Sequence, residues 1–281
     1  MELMRVALGP QVRVVGTWSG QMAIATVDGA EFEDLPELLE ACGGDAAAIH
    51  PGVHIEPDEP RWLSVVGNPG KVICIGLNYR KHAEETGASL PARPMLFPKW
   101  ASSLTGPYDD VPLPPESELI DWESELAFVF GRSCRRVKAA DAAEVVFGYT
   151  LANDVSMRDF QRHTTQFTAG KAWDRSTPVG PALIPAAELG GVEPNLAITG
   201  RLNGDLLQDS RTDDLIFGIP QLVEYITTVM TMQPGDIVLT GTPSGVGMAE
   251  NPPRGLAEGD VYEVEIEGIG RLVNRFVAEQ L

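Results

Sequence analysis

Residues 121–131, DWESELAFVFG, decide the fold, because two glutamates come directly before a run of five apolar residues. Such a run predicts a buried strand. Since side chains alternate along a strand, Glu123 and Glu125 are expected on one face, roughly 7 Å apart along the backbone. Two carboxylates buried this close repel each other, so the pair requires a cation or a proton. Mg²⁺ or Mn²⁺, which take oxygen ligands, would suit it, and an acidic strand face in water is the alternative interpretation.

The next apolar strand adds a third carboxylate. Residues 148–156, GYTLANDVS, are predicted to form a strand that ends near Asp154. A side chain at that point projects from the rim of a sheet into any site formed there. Asp154 therefore favours a cation site, although the spacing alone leaves both interpretations of the acidic pair open.

Strands and turns dominate the rest of the chain. The sequence has 29 glycines and 22 prolines, which imply many sharp turns and short elements. Further strands are predicted at 71–79, 196–204, 236–245 and 261–277, helices at 80–88, 137–146 and 215–230, and irregular structure at 91–118 and 160–190. Because strands and helices do not alternate regularly, we expect a β-rich α+β fold with a mixed sheet.

Residues 1–62 are predicted to form a small N-terminal α+β domain, followed by a second domain at residues 68–281. Residues 13–29 predict two short strands around a Ser-Gly turn, and residues 32–44 predict a short helix that its glycines end. Turn sequences at residues 58–60 and 68–70 bracket the boundary.

Charge and composition exclude several classes of function. With 21 basic and 40 acidic residues, the chain has a net charge of −19, which repels nucleic acids and anionic lipids. No stretch reaches the about 18 apolar residues of a membrane span, and the opening residues lack a secretory signal, so a cytoplasmic protein is expected. Cys42, Cys74 and Cys134 are odd in number and far apart, which predicts buried free thiols.

One of the four histidines has a partner suited to catalysis. On the helix predicted at 80–88, His82 and Glu85 lie side by side. A carboxylate partner fixes the tautomer of the ring and raises its proton affinity, as a general base requires. A plain surface pair is the alternative interpretation. His50 and His54 are separated by a proline and a glycine, so they do not share a helix face and are expected at the surface.

Two further segments carry polar groups that suit an anionic substrate. Lys171 lies in a cation-poor stretch, TAGKAWD, although a lone lysine is usually just solvated. The glycine-rich residues 240–247, TGTPSGVG, lack the lysine of a phosphate-binding loop. They predict a turn that presents backbone N–H groups and the Thr242 hydroxyl to a carboxylate, and a simple hairpin turn is the alternative.

Taken together and in order, six segments resemble the fumarylacetoacetate hydrolase family. They are GLNYRKHAEE, DWESELAFVFG, GYTLANDVSMRD, GKAWDRSTPVGP, SRTDDLIFGIPQLVEYIT and PGDIVLTGTPSGVG, and the resemblance covers roughly residues 70–278. It implies a mixed β-sandwich or roll, a homodimer, and Mg²⁺ or Mn²⁺ held by Glu123, Glu125 and Asp154, with Ca²⁺ as a possible occupant. Residues 1–62 are similar to a variable N-terminal segment of the family.

The resemblance also implies roles for five other residues. His82 and Glu85 match a catalytic dyad on a lid, Gln161 and Lys171 match positions that hold substrate oxygens, and Thr242 matches a substrate-contacting threonine. Phe167 and the Ala172-Trp173 pair depart from the family pattern, so the resemblance does not specify which side chain the substrate carries.

The function implied is metal-dependent hydrolysis of a C–C bond in a 3-acylpyruvate or fumarylpyruvate-like 2-oxo acid. In this expectation His82 activates a water molecule, and the departing carbon is stabilised as an enolate. Decarboxylation of oxaloacetate and isomerisation or tautomerisation of a 2-oxo diacid are alternatives on the same site. A catalytically inactive binding protein is the alternative from a different class.

Overall fold

The computed structural model describes residues 1–56 and 60–280. Its strands are β1 (Glu2–Leu8), β2 (Gln11–Trp18), β3 (Gln21–Val27), β4 (Ala30–Glu31), β5 (His50–His54), β6 (Arg61–Leu63), β7 (Val72–Gly76), β8 (Met95–Lys99), β9 (Leu104–Thr105), β10 (Val111–Leu113), β11 (Ile120–Asp121), β12 (Ser124–Phe130), β13 (Val146–Asn153), β14 (Ser156–Met157), β15 (Thr177–Pro185), β16 (Ala197–Leu202), β17 (Asp205–Arg211), β18 (Ile237–Leu239), β19 (Val261–Ile266) and β20 (Gly270–Ala278). The helices are α1 (Leu35–Ala41), α2 (Arg80–Glu85), α3 (Arg158–Gln161), α4 (Thr168–Lys171) and α5 (Ile219–Val229). Short 3-10 helices, among them Ala139–Glu144, connect some of these elements.

Two mixed sheets form the body of the protein, as the α+β prediction requires. The larger sheet has the order β4-β3-β2-β1-β15-β13-β12-β18-β7-β8, with β5, β6 and β9 attached beside this path. The smaller has the order β10-β20-β19-β16-β17. Most neighbours are antiparallel, whereas β7 with β18, β9 with β15 and β10 with β20 are parallel.

Alternation along β12 explains how one strand serves two cores. Leu126, Phe128 and Phe130 pack into a cluster shared with the smaller sheet, in which Tyr262 and Phe276 are buried. Ala127 and Val129 face the other way, into a cluster that includes the buried leucines of α1. A strand covered on both faces reads as a continuous apolar run, which is the pattern of residues 126–130.

The N-terminal elements match their sequence pattern. Strands β2 and β3 form the predicted hairpin, and α1 ends before two glycines with positive φ, Gly43 and Gly44. Strand β1 pairs with β15 and β6 pairs with β1, so the larger sheet continues across residue 62. The division into two domains stays a prediction, and residues 58 and 59 of the proposed boundary turn lie outside the described residues.

The prediction of irregular structure at 91–118 and 160–190 is wrong, because both stretches contain strands that prolines conceal. Strands β8 and β10 carry Pro98 and Pro112, and each is the edge of its sheet, where a missing N–H donor is tolerated. Strand β15 lies inside the larger sheet. There the pairing of β13 with β15 shifts register between Tyr149 and Leu151, opposite the segment that contains Pro181.

The remaining expectations concern cysteines and membranes. Cys42 and Cys74 are buried free thiols, as predicted, whereas Cys134 is partly exposed. His50 and His54 are exposed on β5. Within residues 1–56 and 60–280, no helix combines the length and the apolar character that a bilayer span needs.

Candidate active site

The three acidic residues singled out above meet where β12 begins and β13 ends. Glu125 lies in β12, Glu123 directly precedes β12, and Asp154 directly follows β13. The Asp154 N–H donates to the Glu123 carbonyl oxygen at 2.9 Å, and this bond ties the two strand ends together. One oxygen from each of the three carboxylates lies within 4.8 Å of the other two, and all three residues are buried.

Two lysines contact the acidic triad, as we call Glu123, Glu125 and Asp154. Lys171 Nζ donates to Glu123 Oε2 at 2.7 Å and to Asp154 Oδ2 at 2.8 Å. Lys99 Nζ donates to Asp154 Oδ1 at 2.6 Å. Sequence reasoning missed Lys99, because it ends β8 in a stretch predicted to be irregular.

A glycine makes the position of Lys171 possible. Lys171 ends α4, which packs against α3 through Gly170. A Cβ atom added at Gly170 would lie 2.5 Å from the backbone nitrogen of Gln161, so a larger residue would push the two helices apart. This close approach brings Lys171 to the triad from one side while the Gln161 side chain lines the same cavity.

Arg158 and Asp121 form a second buried pair beside the triad, and sequence reasoning missed both. Arg158 Nε donates to Asp121 Oδ2 at 2.8 Å, and Arg158 Nη2 lies 2.7 Å from Glu123 Oε1. Asp121 also accepts backbone N–H bonds from Trp122, Gly247 and Met248. The pairing joins residues 37 positions apart, and no local sequence pattern predicts it.

Counting charges shows that the buried cluster has one carboxylate too many. The cluster contains four carboxylates and three cations: Asp121, Glu123, Glu125 and Asp154 against Lys99, Arg158 and Lys171. Glu125 is the one that none of these cations reaches within 4.0 Å, and its Oε2 accepts the Gly241 N–H at 2.6 Å.

The pKa values of the two glutamates diverge for the same reason. Burial raises the pKa of Glu125 well above its usual range, and the nearby charges of Asp154 and Glu123 raise it further. Burial acts on Glu123 in the same sense, but Lys171 and Arg158 lower the pKa of Glu123 to about 2. An all-oxygen donor set with a surplus negative charge fits a hard divalent cation such as Mg²⁺ or Mn²⁺.

His82 and Glu85 lie together on α2, as their spacing predicts. His82 Nδ1 is 2.7 Å from Glu85 Oε1, and because a carboxylate accepts, this contact places the ring proton on Nδ1. Glu85 Oε2 in turn accepts the Gly245 N–H at 2.9 Å. His82 is only 8% exposed, so the alternative of a plain surface pair does not describe this histidine. Its Nε2 has no hydrogen-bond partner in the described part of the chain.

Glu123 of the triad and His82 line one cavity of about 460 Å³. Its polar lining residues are His82, Thr86, Glu123, Arg158, Gln161, Arg162, Thr164, Lys171 and Thr242. Its apolar lining includes Ile75, Leu77, Met95, Phe97, Phe167 and Met248. Trp173, one of the departures from the family pattern, is not among the lining residues and packs edge-on against Phe160 instead.

The glycine-rich residues 240–247 present backbone N–H groups to carboxylates, as predicted, but the carboxylates belong to the protein itself. Gly241, Gly245 and Gly247 donate to Glu125, Glu85 and Asp121. The loop therefore connects the acidic triad, the histidine dyad and the Asp121 pair. A shift of this loop would disturb all three at once.

Gln208 on β17 positions Thr242, and sequence reasoning missed it as well. Its Nε2 donates to Thr242 Oγ1 and to the Pro243 carbonyl oxygen, both at 2.8 Å. Its Oε1 accepts the Ser124 N–H and the Tyr262 hydroxyl. Because Thr242 Oγ1 accepts from Gln208, its own hydroxyl proton is free to be donated towards the cavity.

Comparisons with known proteins agree with these features. Residues 71–277 match the family described as Fumarylacetoacetate (FAA) hydrolase C-terminal. The chain is 43% identical over 217 residues to the oxaloacetate tautomerase Fahd2a, mitochondrial, of Rattus norvegicus, covering 77% of this chain and 69% of the relative. The human oxaloacetate tautomerase FAHD2A, mitochondrial, is 42% identical over 221 residues, covering 78% of this chain and 70% of the relative.

Solved structures extend the similarity to nearly the whole chain. The fumarylacetoacetate hydrolase of Exiguobacterium antarcticum has a TM-score of 0.87 and 31% identity, covering 99% of this chain and 100% of that one. The 5-carboxymethyl-2-hydroxymuconate delta-isomerase of Mycobacterium smegmatis has a TM-score of 0.80 and 33% identity, covering 100% of both chains. The protein therefore belongs to the fumarylacetoacetate hydrolase family.

Proposed function

We propose that this protein interconverts the keto and enol forms of a 2-oxo dicarboxylic acid of the oxaloacetate type. The observation that carries the proposal is the cavity that His82, with its Nδ1 bonded to Glu85, shares with Glu123 and Lys171. Such a site can move a proton on a substrate held at the triad. The names of the curated relatives favour tautomerisation, one of the alternatives above, over C–C bond hydrolysis.

The acidic triad would hold a divalent cation, Mg²⁺ or Mn²⁺, through Glu123, Glu125 and Asp154. When bound, such an ion supplies Lewis acidity that makes protons beside the 2-oxo group easier to remove. Lys171 keeps its positive charge beside the triad: burial lowers its pKa, but the carboxylates of Asp154 and Glu123 hold the pKa of Lys171 above its usual range. Its ammonium group stabilises negative charge that develops on the 2-oxo oxygen.

His82 is the proposed base. Since Nδ1 carries the proton shared with Glu85, Nε2 has the free lone pair that can accept a proton from C3 of the keto acid. The C–H electron pair becomes the C2–C3 double bond, and the carbonyl electrons move to the 2-oxo oxygen. That oxygen then takes up a proton from water to give the enol, and His82 Nε2 releases the proton it accepted to water, which restores the neutral imidazole. The reverse sequence restores the keto form.

The remaining polar groups are proposed to orient the substrate. Gln161 lines the cavity and accepts from Arg158 Nη1 at 3.1 Å, so its amide N–H₂ is available to a carboxylate or carbonyl oxygen. Thr242 offers the hydroxyl proton that Gln208 leaves free. Two donors of fixed direction select one orientation of a planar 2-oxo acid.

The test is to follow the loss of enol-oxaloacetate by its ultraviolet absorbance, with Mg²⁺ or Mn²⁺ present. We expect the His82→Asn variant to lower kcat by about 100- to 10,000-fold, the usual contribution of a general base. Its metal affinity should stay unchanged, because His82 is not a ligand in this proposal. His50→Asn, at an exposed histidine on β5, is the matched control and should retain full activity.

Parallel assays separate the competing functions. Pyruvate formed from oxaloacetate would indicate decarboxylation, and cleavage of a 3-acylpyruvate would restore the hydrolase expectation. Metal-loaded, folded protein that converts none of these compounds would favour the inactive binding protein. The homodimer and the cytoplasmic location stay predictions, and sedimentation analysis tests the first.

A further inference from the structure

The charged side chains that line the cavity differ in how they are compensated. Glu123, Arg158, Lys171 and His82 each have an oppositely charged or carboxylate partner at 2.8 Å or less. Arg162 also lines the cavity, but no carboxylate in residues 1–56 or 60–280 lies within 4.0 Å of its guanidinium group. It therefore brings an uncompensated positive charge to a site in a protein of net charge −19.

Arg162 lies at the outer part of the cavity. It directly follows Gln161 at the end of α3, and its backbone N–H donates to the Asp159 carbonyl oxygen at 3.2 Å. The residue is exposed, whereas Arg158 and Lys171 at the inner end are buried. The neighbouring lining residue Thr164 is exposed as well, so this side of the opening is polar.

The composition of the remaining lining determines whether a second anionic group of the substrate depends on the Arg162 charge. Six other lining residues, among them Met95, Phe97 and Phe167, have apolar side chains and provide no donor for a carboxylate, and Thr86 and Thr164 are polar but carry no charge. A dicarboxylic acid with its 2-oxo acid end at the triad would leave its distal carboxylate desolvated unless a cation reached it. An arginine fork binds a carboxylate through two parallel hydrogen bonds.

We propose that Arg162 binds the distal carboxylate of the substrate and so selects 2-oxo dicarboxylic acids over 2-oxo monocarboxylic acids. This inference rests on the proposed function for its substrate class. It assigns recognition of the two ends to different groups: the inner cluster takes the 2-oxo acid, and Arg162 takes the far carboxylate.

The test compares oxaloacetate with pyruvate, which carries hydrogen in place of the distal carboxylate. Dissociation constants for both are measured by calorimetry with Mg²⁺-loaded protein, and turnover is measured separately. We expect Arg162→Leu to weaken oxaloacetate binding about tenfold or more, the equivalent of 1.4 kcal/mol. Pyruvate binding should be unaffected, and Arg162→Lys should recover part of the loss because it keeps the charge.

Arg132→Leu is the control for net charge, since Arg132 is exposed and does not line the cavity. It should leave both dissociation constants unchanged. An equal loss for the two acids in Arg162→Leu, or no preference for oxaloacetate in the unaltered protein, would overturn the proposal. If the preference depends on Arg162 but oxaloacetate is not tautomerised, the binding site stands and the proposed function fails.

Discussion

Asp121 and Glu125 flank Glu123 in one short segment, and both are buried, yet their carboxylates meet very different surroundings. Asp121 accepts three backbone N–H bonds and the Arg158 Nε–H bond. Glu125 accepts one backbone N–H bond, from Gly241, and lies beside two other carboxylates. A buried carboxylate with many donors and a cation is a structural group, whereas one that lacks them is suited to bind a cation from outside.

The largest effect is expected at Asp121, the carboxylate that has many hydrogen-bond donors. The Asp121→Asn variant loses the charge that compensates Arg158 and turns an acceptor towards backbone N–H groups into a donor. We expect the free energy of unfolding to fall by about 3–5 kcal/mol, the cost of breaking a buried ion pair. Urea unfolding measures this, with Asp205→Asn at an exposed position as control. A fall no larger than that of the control would show that Asp121 is not a structural anchor.

The next largest effect is expected at Glu125, the carboxylate that has few hydrogen-bond donors. Glu125→Gln should weaken binding of Mn²⁺ beyond the about 10- to 100-fold that loss of an outer-shell partner causes, because a ligand itself is lost. Stability of the metal-free protein should not decrease, since the variant removes the surplus buried charge. Calorimetric titration and urea unfolding check the two parts. Clear destabilisation with unchanged Mn²⁺ affinity would reverse the roles of the two carboxylates.

A smaller effect is expected at Gln208, which contacts the loop of residues 240–247 that donates to both Asp121 and Glu125. Gln208→Leu leaves the Ser124 N–H and the Tyr262 hydroxyl without their acceptor. We expect the free energy of unfolding to fall by about 1–3 kcal/mol, the cost of unsatisfied buried groups. Thr242→Val removes the hydroxyl alone and serves as the matched variant. If Gln208 positions Thr242, activity in the double variant should resemble that of Gln208→Leu; additive losses of activity would argue against this role.

Local pattern was sufficient for much of the fold. The apolar run after Glu125 identified β12, and the helical spacing of residues 215–230 identified α5. The same reasoning indicated a candidate cation site at Glu123, Glu125 and Asp154 but left the alternative open, and the family resemblance implied the set of ligands. Glu123 lies just outside the strand that was expected to carry it. The geometry of the triad depends on the joined ends of β12 and β13, which single-strand alternation describes only approximately.

The partners of the triad could not be predicted in the same way. Lys99 follows Pro98 in an edge strand, where proline conceals the strand pattern. Gln208 reaches Thr242 from the smaller sheet, and Arg158 reaches Asp121 across 37 positions. Such contacts depend on how two sheets and a loop meet in space, and no spacing along the chain encodes them.

The assignment of Glu123, Glu125 and Asp154 as cation ligands is tested most directly by a crystal structure of the protein soaked in Mn²⁺, with anomalous scattering used to locate the ion. We expect one manganese peak bonded to oxygens of Glu123, Glu125 and Asp154, and no peak at Asp121. A map without manganese at the triad, or with manganese at Asp121 instead, would contradict it.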